Sequence, residues 1–270
     1  MNAESKCVEK SLGSSRIHDG WEGDYRSSPN EAFYDLAFER IGQIVGSPGS
    51  RFLDAGCGSC AHSKRLVEQG YRVSAIDFSE TVVGRAKASV AAWGLDHAID
   101  VKREDILNLT FSDNAFDHVL CWGVLMHMPQ AEVALQELFR VLKDGGMLVL
   151  SETNAFSMHS VTMRTLRAIA FRQRATTRWT PVGVENWENT AAGKLMTRQT
   201  NMAWLKRYLE QEGFRIKSHL PGQFSELYTY KIPTTARRMT HRLNQFWFRF
   251  VKSPRFALGN ILIAQKQTLH

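Results

Sequence analysis

The chain has 270 residues, 43% of them hydrophobic and 23% charged, with a formal net charge of +7. That is enough apolar surface for a substantial core in one α/β domain with insertions. The N-terminal MNAESKCVEK lacks the apolar stretch of a secretory signal, and no run approaches the roughly 20 apolar residues that span a bilayer, so a cytoplasmic protein is expected.

Residues 1–150 hold 15 Lys and Arg against 21 Asp and Glu, whereas residues 151–270 hold 19 against 6. A surplus of that size in the C-terminal part faces something anionic: a phosphorylated or carboxylated small substrate, lipid head groups or nucleic acid. Four cysteines, Cys7, Cys57, Cys60 and Cys121, are too few and too unevenly placed for a disulfide framework. Cys57-x-x-Cys60 has no second pair to complete a zinc site, so no metal is expected.

Residues 1–20 are polar and read as a mobile arm, with order beginning near Trp21. Phe33, Leu36, Ala37, Ile41 and Ile44 recur at helical spacing, which predicts a helix over 30–45 with Asn30 as its cap and Ser47-Pro48-Gly49 as its stop. Short apolar runs then alternate with helical stretches. Strands are expected over 51–54, 71–77, 99–103, 116–121 and 147–152, with helices over 60–69, 80–93 and 130–142. Such alternation implies right-handed crossovers and a parallel sheet covered on both faces, the doubly wound class. After Glu152 the rhythm fails for about 45 residues; it resumes with a helix over 201–211, a strand over 214–219 and a last strand over 256–265.

Between the first predicted strand and helix stands Phe52-Leu53-Asp54-Ala55-Gly56-Cys57-Gly58-Ser59-Cys60, a glycine-rich turn that lets backbone approach a ligand closely. Gly56-x-Gly58-x-x-Ala61 also satisfies the dinucleotide fingerprint, which keeps a nicotinamide-dependent dehydrogenase open. Asp54 argues against it: a carboxylate beside the turn disfavours pyrophosphate and suits a cofactor with an ammonium group and no phosphates. Asp77, ending the second strand, is placed to accept ribose hydroxyls in either case. Glu104-Asp105-Ile106 after the third strand offers a carboxylate and an apolar neighbour for an adenine.

Taken together, FLDAGCGSC, AIDFSE, REDILNL, FDHVLCWGVLMHMP and LKDGGMLVLSETN resemble the class I S-adenosylmethionine-dependent methyltransferases, in particular the small-molecule group with a DxGCG turn, over about 100 residues. The resemblance implies a Rossmann-like doubly wound sheet of seven strands, mostly parallel with an antiparallel last strand, plus helical insertions. It also implies that Asp54, Ala55, Gly56, Cys57 and Gly58 line the methionine part of S-adenosylmethionine, Asp77 and Phe78 the ribose and adenine, Asp105 and Ile106 the adenine, and Cys121, Trp122 and Gly123 the central channel. The family often has glycine where Cys60 stands. His127 lies in a stretch near the methyl donor in that family and is the candidate general base; Glu152, at a strand end, is a weaker one.

On this reading residues 21–270 form one domain, with 21–152 the cofactor-binding core and 153–200 and 222–255 a helical cover over the acceptor. Trp21 and Tyr25 are candidates to close over the cofactor. Arg164, Arg167, Arg172, Arg174 and Arg178 in the first insertion suit phosphate or carboxylate, and the following Pro181–Trp187 stretch reads as a substrate loop. In the second insertion Met239, Leu243, Phe246, Trp247 and Phe250 share a helical face, which either packs on the core as a lid, the favoured reading, or meets a membrane surface. The expected acceptor is small or lipid-linked, methylated on oxygen or nitrogen, and anionic. An RNA methyltransferase and a non-catalytic, membrane-associated protein of the same fold are the alternatives.

Overall fold

The computed structural model describes residues 8, 11–14, 17, 28–169, 176–190 and 193–268. Trp21, Tyr25, Cys7, Phe171, Arg172 and Arg174 lie outside the described residues.

Five parallel strands come first in the chain, β1 (Arg51–Ala55), β2 (Arg72–Asp77), β3 (Ile99–Arg103), β4 (Phe116–Trp122) and β5 (Leu142–Thr153), with a helix between β1 and β2, β2 and β3, and β4 and β5. With β9 (Phe214–Pro221) and β10 (Gly259–Lys266) they form a seven-stranded sheet in the order β3-β2-β1-β4-β5-β10-β9. β10 runs antiparallel to both neighbours and is inserted between β5 and β9. The expected Rossmann-like doubly wound sheet is thus present, with the last strand of the chain as its antiparallel member.

β1 shows why the sheet is buried on both faces. Leu53 and Ala55 point into one apolar cluster, with Leu135 and Leu138 of α4 (Ala131–Val141) and Leu205 and Leu209 of α6 (Met202–Gln211). Phe52 points into the other, with Phe38 and Ile41 of α1 (Ser28–Val45), Leu66 of α2 (Ala61–Glu68) and Val83 and Ala86 of α3 (Glu80–Ala92). Alternate residues of one strand therefore anchor opposite helical layers.

Helix starts follow local chemistry. Ser79 Oγ accepts from the Val82 N–H at 3.4 Å, and Asn201 Oδ1 accepts from the N–H groups of Ala203 and Trp204. Asn30 does not cap α1 as expected. The helix starts two residues earlier, at Ser28 with Pro29 in its first turn, and Asn30 is buried, accepting from Gln223 Nε2 at 2.9 Å.

The first insertion departs from the expected helical cover. It opens with α5 (Met158–Ile169) but continues as a three-stranded antiparallel sheet of β6 (Thr176–Trp179), β7 (Gly183–Thr190) and β8 (Gly193–Thr200). The predicted substrate loop Pro181–Trp187 is largely strand β7, whose Val184, Glu185 and Trp187 are buried. Within the expected N-terminal arm, Val8 is buried against Trp187 and Met196, and Ser11 Oγ donates to the Lys194 carbonyl at 2.8 Å. The second insertion holds α7 (Thr234–Phe246), extended by a π-turn at Trp247–Val251.

Candidate active site

In an open parallel sheet, ligands bind beyond the carboxyl ends of the strands where the winding reverses. Here the reversal falls between β1 and β4, and a cavity of about 670 Å³ lies there. Its wall takes Gly56 and Gly58 after β1, Asp77 and Phe78 after β2, Asp105 and Ile106 after β3, and Trp122, Gly123 and His127 after β4.

The glycine turn is fixed by backbone geometry. The N–H groups of Gly56 and Cys57 both donate to the Ile76 carbonyl at 2.8 Å, tying the turn to β2. Gly56 sits at φ +82°, and a β-carbon there would drive into the Val124 side chain. Gly58 sits at φ +53° with open space where a β-carbon would be. One position needs glycine for packing; the other leaves room in the cavity wall for a ligand.

Asp77 receives the Gly58 N–H on Oδ2 at 3.3 Å and the Ser79 N–H on Oδ1 at 3.0 Å, which aims its carboxylate at the rim between the first two strands. Asp105 Oδ1 accepts from the Leu107 N–H at 2.9 Å, and Glu104 grips Thr110 through both carboxylate oxygens. The loop carrying Asp105 and Ile106 is thereby preformed.

Four expected site residues lie behind the wall. Asp54, Ala55, Cys57 and Cys121 are buried, and none of them lines the cavity. Asp54 Oδ2 accepts from Ser63 Oγ at 2.6 Å, and burial raises its pKa to about 7, with Asp77 adding to the rise. Its carboxylate lies behind the turn and does not border the cavity. Burial also pushes the Cys121 thiol well above its usual range.

His127 lies on a 3-10 turn, Leu125–His127, and its Nδ1 is 3.2 Å from the Met196 carbonyl of β8. A carbonyl only accepts, so Nδ1 carries the proton, and in the neutral ring the lone pair sits on Nε2. The same turn is clamped by Arg198, buried on β8. Its Nη1 donates to Met128 O at 2.9 Å and to Leu125 O at 3.5 Å, and its Nη2 to Pro129 O at 3.4 Å and to Glu185 Oε1 at 2.9 Å. Glu152, at the end of β5, is buried behind this sheet: Thr200 Oγ1 donates to its Oε2 at 3.0 Å, and burial raises its pKa to about 7.

Residues outside the expected set complete the wall. Arg103, Asn108, Met128, Gln130, Val8 and Leu12 all border the cavity. Gln130 Oε1 is buried with no hydrogen-bond partner among the described residues, an acceptor whose donor must come from elsewhere. Position at a strand's carboxyl end would have found Arg103; nothing in the local sequence marks Gln130 or Val8.

Residues 53–150 match the methyltransferase domain family. The demethylmenaquinone methyltransferase of Desulfitobacterium hafniense (strain Y51) is 35% identical over 111 residues, covering 39% of this chain and 43% of that protein. The phosphatidylethanolamine N-methyltransferase of Cereibacter sphaeroides is 29% identical over 133 residues, 46% of this chain and 65% of that protein. The chain thus spans less than half the length of the first relative and about two thirds of the second. Among solved structures, magnesium protoporphyrin IX methyltransferase of Synechocystis PCC 6803 with bound SAH superposes with a TM-score of 0.64 at 17% identity, over 97% of this chain and 100% of that one, a likeness of fold. Residues 53–150 thus form a methyltransferase domain, and over that stretch the chain is similar to S-adenosylmethionine-dependent methyltransferases.

Proposed function

We propose that the protein transfers the methyl group of S-adenosylmethionine to an oxygen or nitrogen of a small or lipid-linked, anionic acceptor. The observation that carries this is the cavity at the carboxyl edge, where an open glycine, a fixed carboxylate, an apolar shelf and a histidine of defined tautomer face one space. The residues fit the cofactor: Gly58 leaves room at the turn, Asp77 offers acceptor oxygens for ribose hydroxyls, Ile106 and Phe78 offer apolar surface for adenine, and Gln130 Oε1 offers an unmatched acceptor.

When bound, S-adenosylmethionine supplies an activated methyl on a sulfonium, so the protein's task is alignment and exclusion of water. Arg198 and the Met196 carbonyl hold the 125–129 segment still, and His127 Nε2 takes the proton that the acceptor loses. Asp54, its pKa raised to about 7 by burial, carries a partial negative charge behind the turn, which a bound cation would increase. In this reading residues 21–152 remain the cofactor-binding core, with 153–200 and 222–255 forming the acceptor side. Two relatives are named for a quinone and a phospholipid, which supports an acceptor with an apolar part and, with the basic C-terminal half, peripheral contact with a cytoplasmic membrane face. Among the described residues no helix is long and apolar enough to cross a membrane.

Titration calorimetry with S-adenosylhomocysteine, with NAD as the control, tests the reading. Affinity on the order of micromolar for the first and none for the second is expected. Binding of NAD instead would replace it with a dehydrogenase.

A further inference from the structure

Surface helices ordinarily bury their apolar stripe, and α7 does the reverse. It buries Thr240, His241 and Asn244, while Met239 is 65% exposed, Phe246 54% and, on the π-turn, Phe250 69%. Together with Leu243, also exposed, they recur at intervals of four, three and four residues, which aligns them in one outward stripe. α5 carries a matching stripe of Met158, Val161 and Ile169, the last 69% exposed. The lid expectation for the second insertion is therefore corrected: the polar side of α7 packs inward and its apolar side meets solvent.

The two helices are neighbours. Ser225 binds both, through its Oγ to His159 Nδ1 of α5 at 3.0 Å and through its backbone N–H and carbonyl to the Asn244 amide of α7, each at 3.0 Å. Tyr230 does the same, taking Arg167 Nη2 on its hydroxyl at 2.9 Å and Arg237 Nη2 on its carbonyl at 3.4 Å. Cations accompany the stripes on the same elements: Arg167, Arg237, Arg238, Arg242, Arg249 and Lys252 are all exposed. No acidic residue occurs between Glu152 and Glu185 or after Glu226.

An apolar face flanked by exposed cations on its own helices fits a partner with an apolar interior and an anionic surface. A second copy of the chain would bring cation against cation. Nucleic acid would satisfy the arginines and leave the phenylalanines in water. We infer that α5 and α7 form a docking face for a bilayer carrying anionic lipids.

Its placement serves the site. α5 follows the carboxyl end of β5, and the chain after α7 is held at that same end, where Asn154 Nδ2 donates to Arg255 O at 3.0 Å. The cavity opens at the same edge of the sheet. Phe248 of the π-turn meets Phe33, which meets Tyr34, which meets Trp122 of the cavity wall, at ring separations of 5.5, 5.9 and 6.0 Å. The use of the face for delivering an acceptor rests on the methyltransferase reading; the docking itself does not.

The test is sedimentation of the full chain with phosphatidylcholine vesicles, alone and mixed with phosphatidylglycerol. Two double variants, Phe246→Asp with Phe250→Asp and Arg238→Gln with Arg242→Gln, are measured alongside the parent. Binding to the mixed vesicles is expected to exceed binding to phosphatidylcholine by roughly tenfold, and each variant to lose roughly tenfold. S-adenosylhomocysteine affinity should stay unchanged in both, since all four residues are exposed and away from the cavity. Absence of vesicle binding, or binding indifferent to the phenylalanine pair, overturns the proposal. So does a dimer in light scattering that the phenylalanine variant dissolves, or RNA binding that only the arginine variant weakens. Vesicle binding without cofactor binding leaves the docking face standing and removes the methyltransferase reading.

Discussion

The cofactor half and the cover differ in how polar their buried positions are. In the half formed by β1–β5 and its helices, apolar side chains face the sheet, and polar groups appear at the carboxyl ends, each tied down by backbone N–H groups as Asp77 and Asp105 are. In the cover many inward-facing positions are polar: Arg198, Glu185 and Thr200 on the small sheet, beside the buried Val184, Trp187 and Met196, and Thr240, His241 and Asn244 on α7. On α7 the large apolar residues point outward. The first half is held mainly by burial, which tolerates exchange of similar side chains; the cover adds buried hydrogen bonds and the Arg198–Glu185 ion pair, which tolerate little.

The largest expected effect follows from that ion pair. Arg198→Ala removes four donated hydrogen bonds and strands Glu185, itself buried, without its partner. Losing one member of a buried pair costs about 3–5 kcal/mol. Urea unfolding should show that loss, and methyl transfer should fall with it because the His127 turn loses its clamp. A loss below about 1 kcal/mol, the range of exposed pairs, would mean that the cover is not held by this pair.

In the cofactor half the comparable break is Gly56→Ala. The left-handed backbone at φ +82° and the collision with Val124 together should cost about 1–3 kcal/mol. S-adenosylhomocysteine affinity should drop at least tenfold, measured by calorimetry. Gly58→Leu is the sharper probe, since its side chain projects into open space at the cavity wall and should block the ligand at a smaller cost in stability.

These two regions also differed in how far the sequence exposed them. Strands β1 to β5 were legible because apolar runs end in Asp54 and Asp77 and are separated by helical spacing, and the cavity wall follows from that order. Asn30 misled because Ser28-Pro29, a better helix start, stood two residues upstream. The small sheet was illegible for a physical reason. On β8 the buried positions alternate as Met196, Arg198 and Thr200, a period of two in which only one member is apolar, so hydrophobic alternation is absent. The stripe of α7 was visible, but periodicity alone does not say which way a stripe faces.

A smaller effect separates burial from charge at the cover's border. Glu152 has its pKa raised to about 7 by burial, so the folded protein holds its proton at pH values where the unfolded chain has released it. Its contribution is therefore fully present below the unfolded value near 4.5 and is lost as pH rises through about 7. Glu152→Gln keeps an oxygen for the Thr200 hydroxyl and carries no charge. It should raise stability at pH 8 by up to about 3 kcal/mol and change little at pH 4. Thermal melts of both proteins across this window check it; parallel curves would show that Glu152 titrates alike in the folded and unfolded chain.

The smallest effect returns to the turn in the cofactor half, at the position where the resembled family often has glycine. Cys60 adopts φ 62° and ψ 19°, the left-handed region, and is fully buried. A β-carbon there costs roughly 1–2 kcal/mol, which its packing under the turn must offset. Cys60→Ala keeps the backbone cost and gives up the sulfur's contacts, whereas Cys60→Gly gives up the contacts and removes the cost. The glycine variant should therefore be the more stable of the two by about 1 kcal/mol in urea, with cofactor affinity unchanged in both. The opposite order would mean that filled space under this turn outweighs its backbone geometry, which would make it resemble the rest of the apolar half more than the loop it begins.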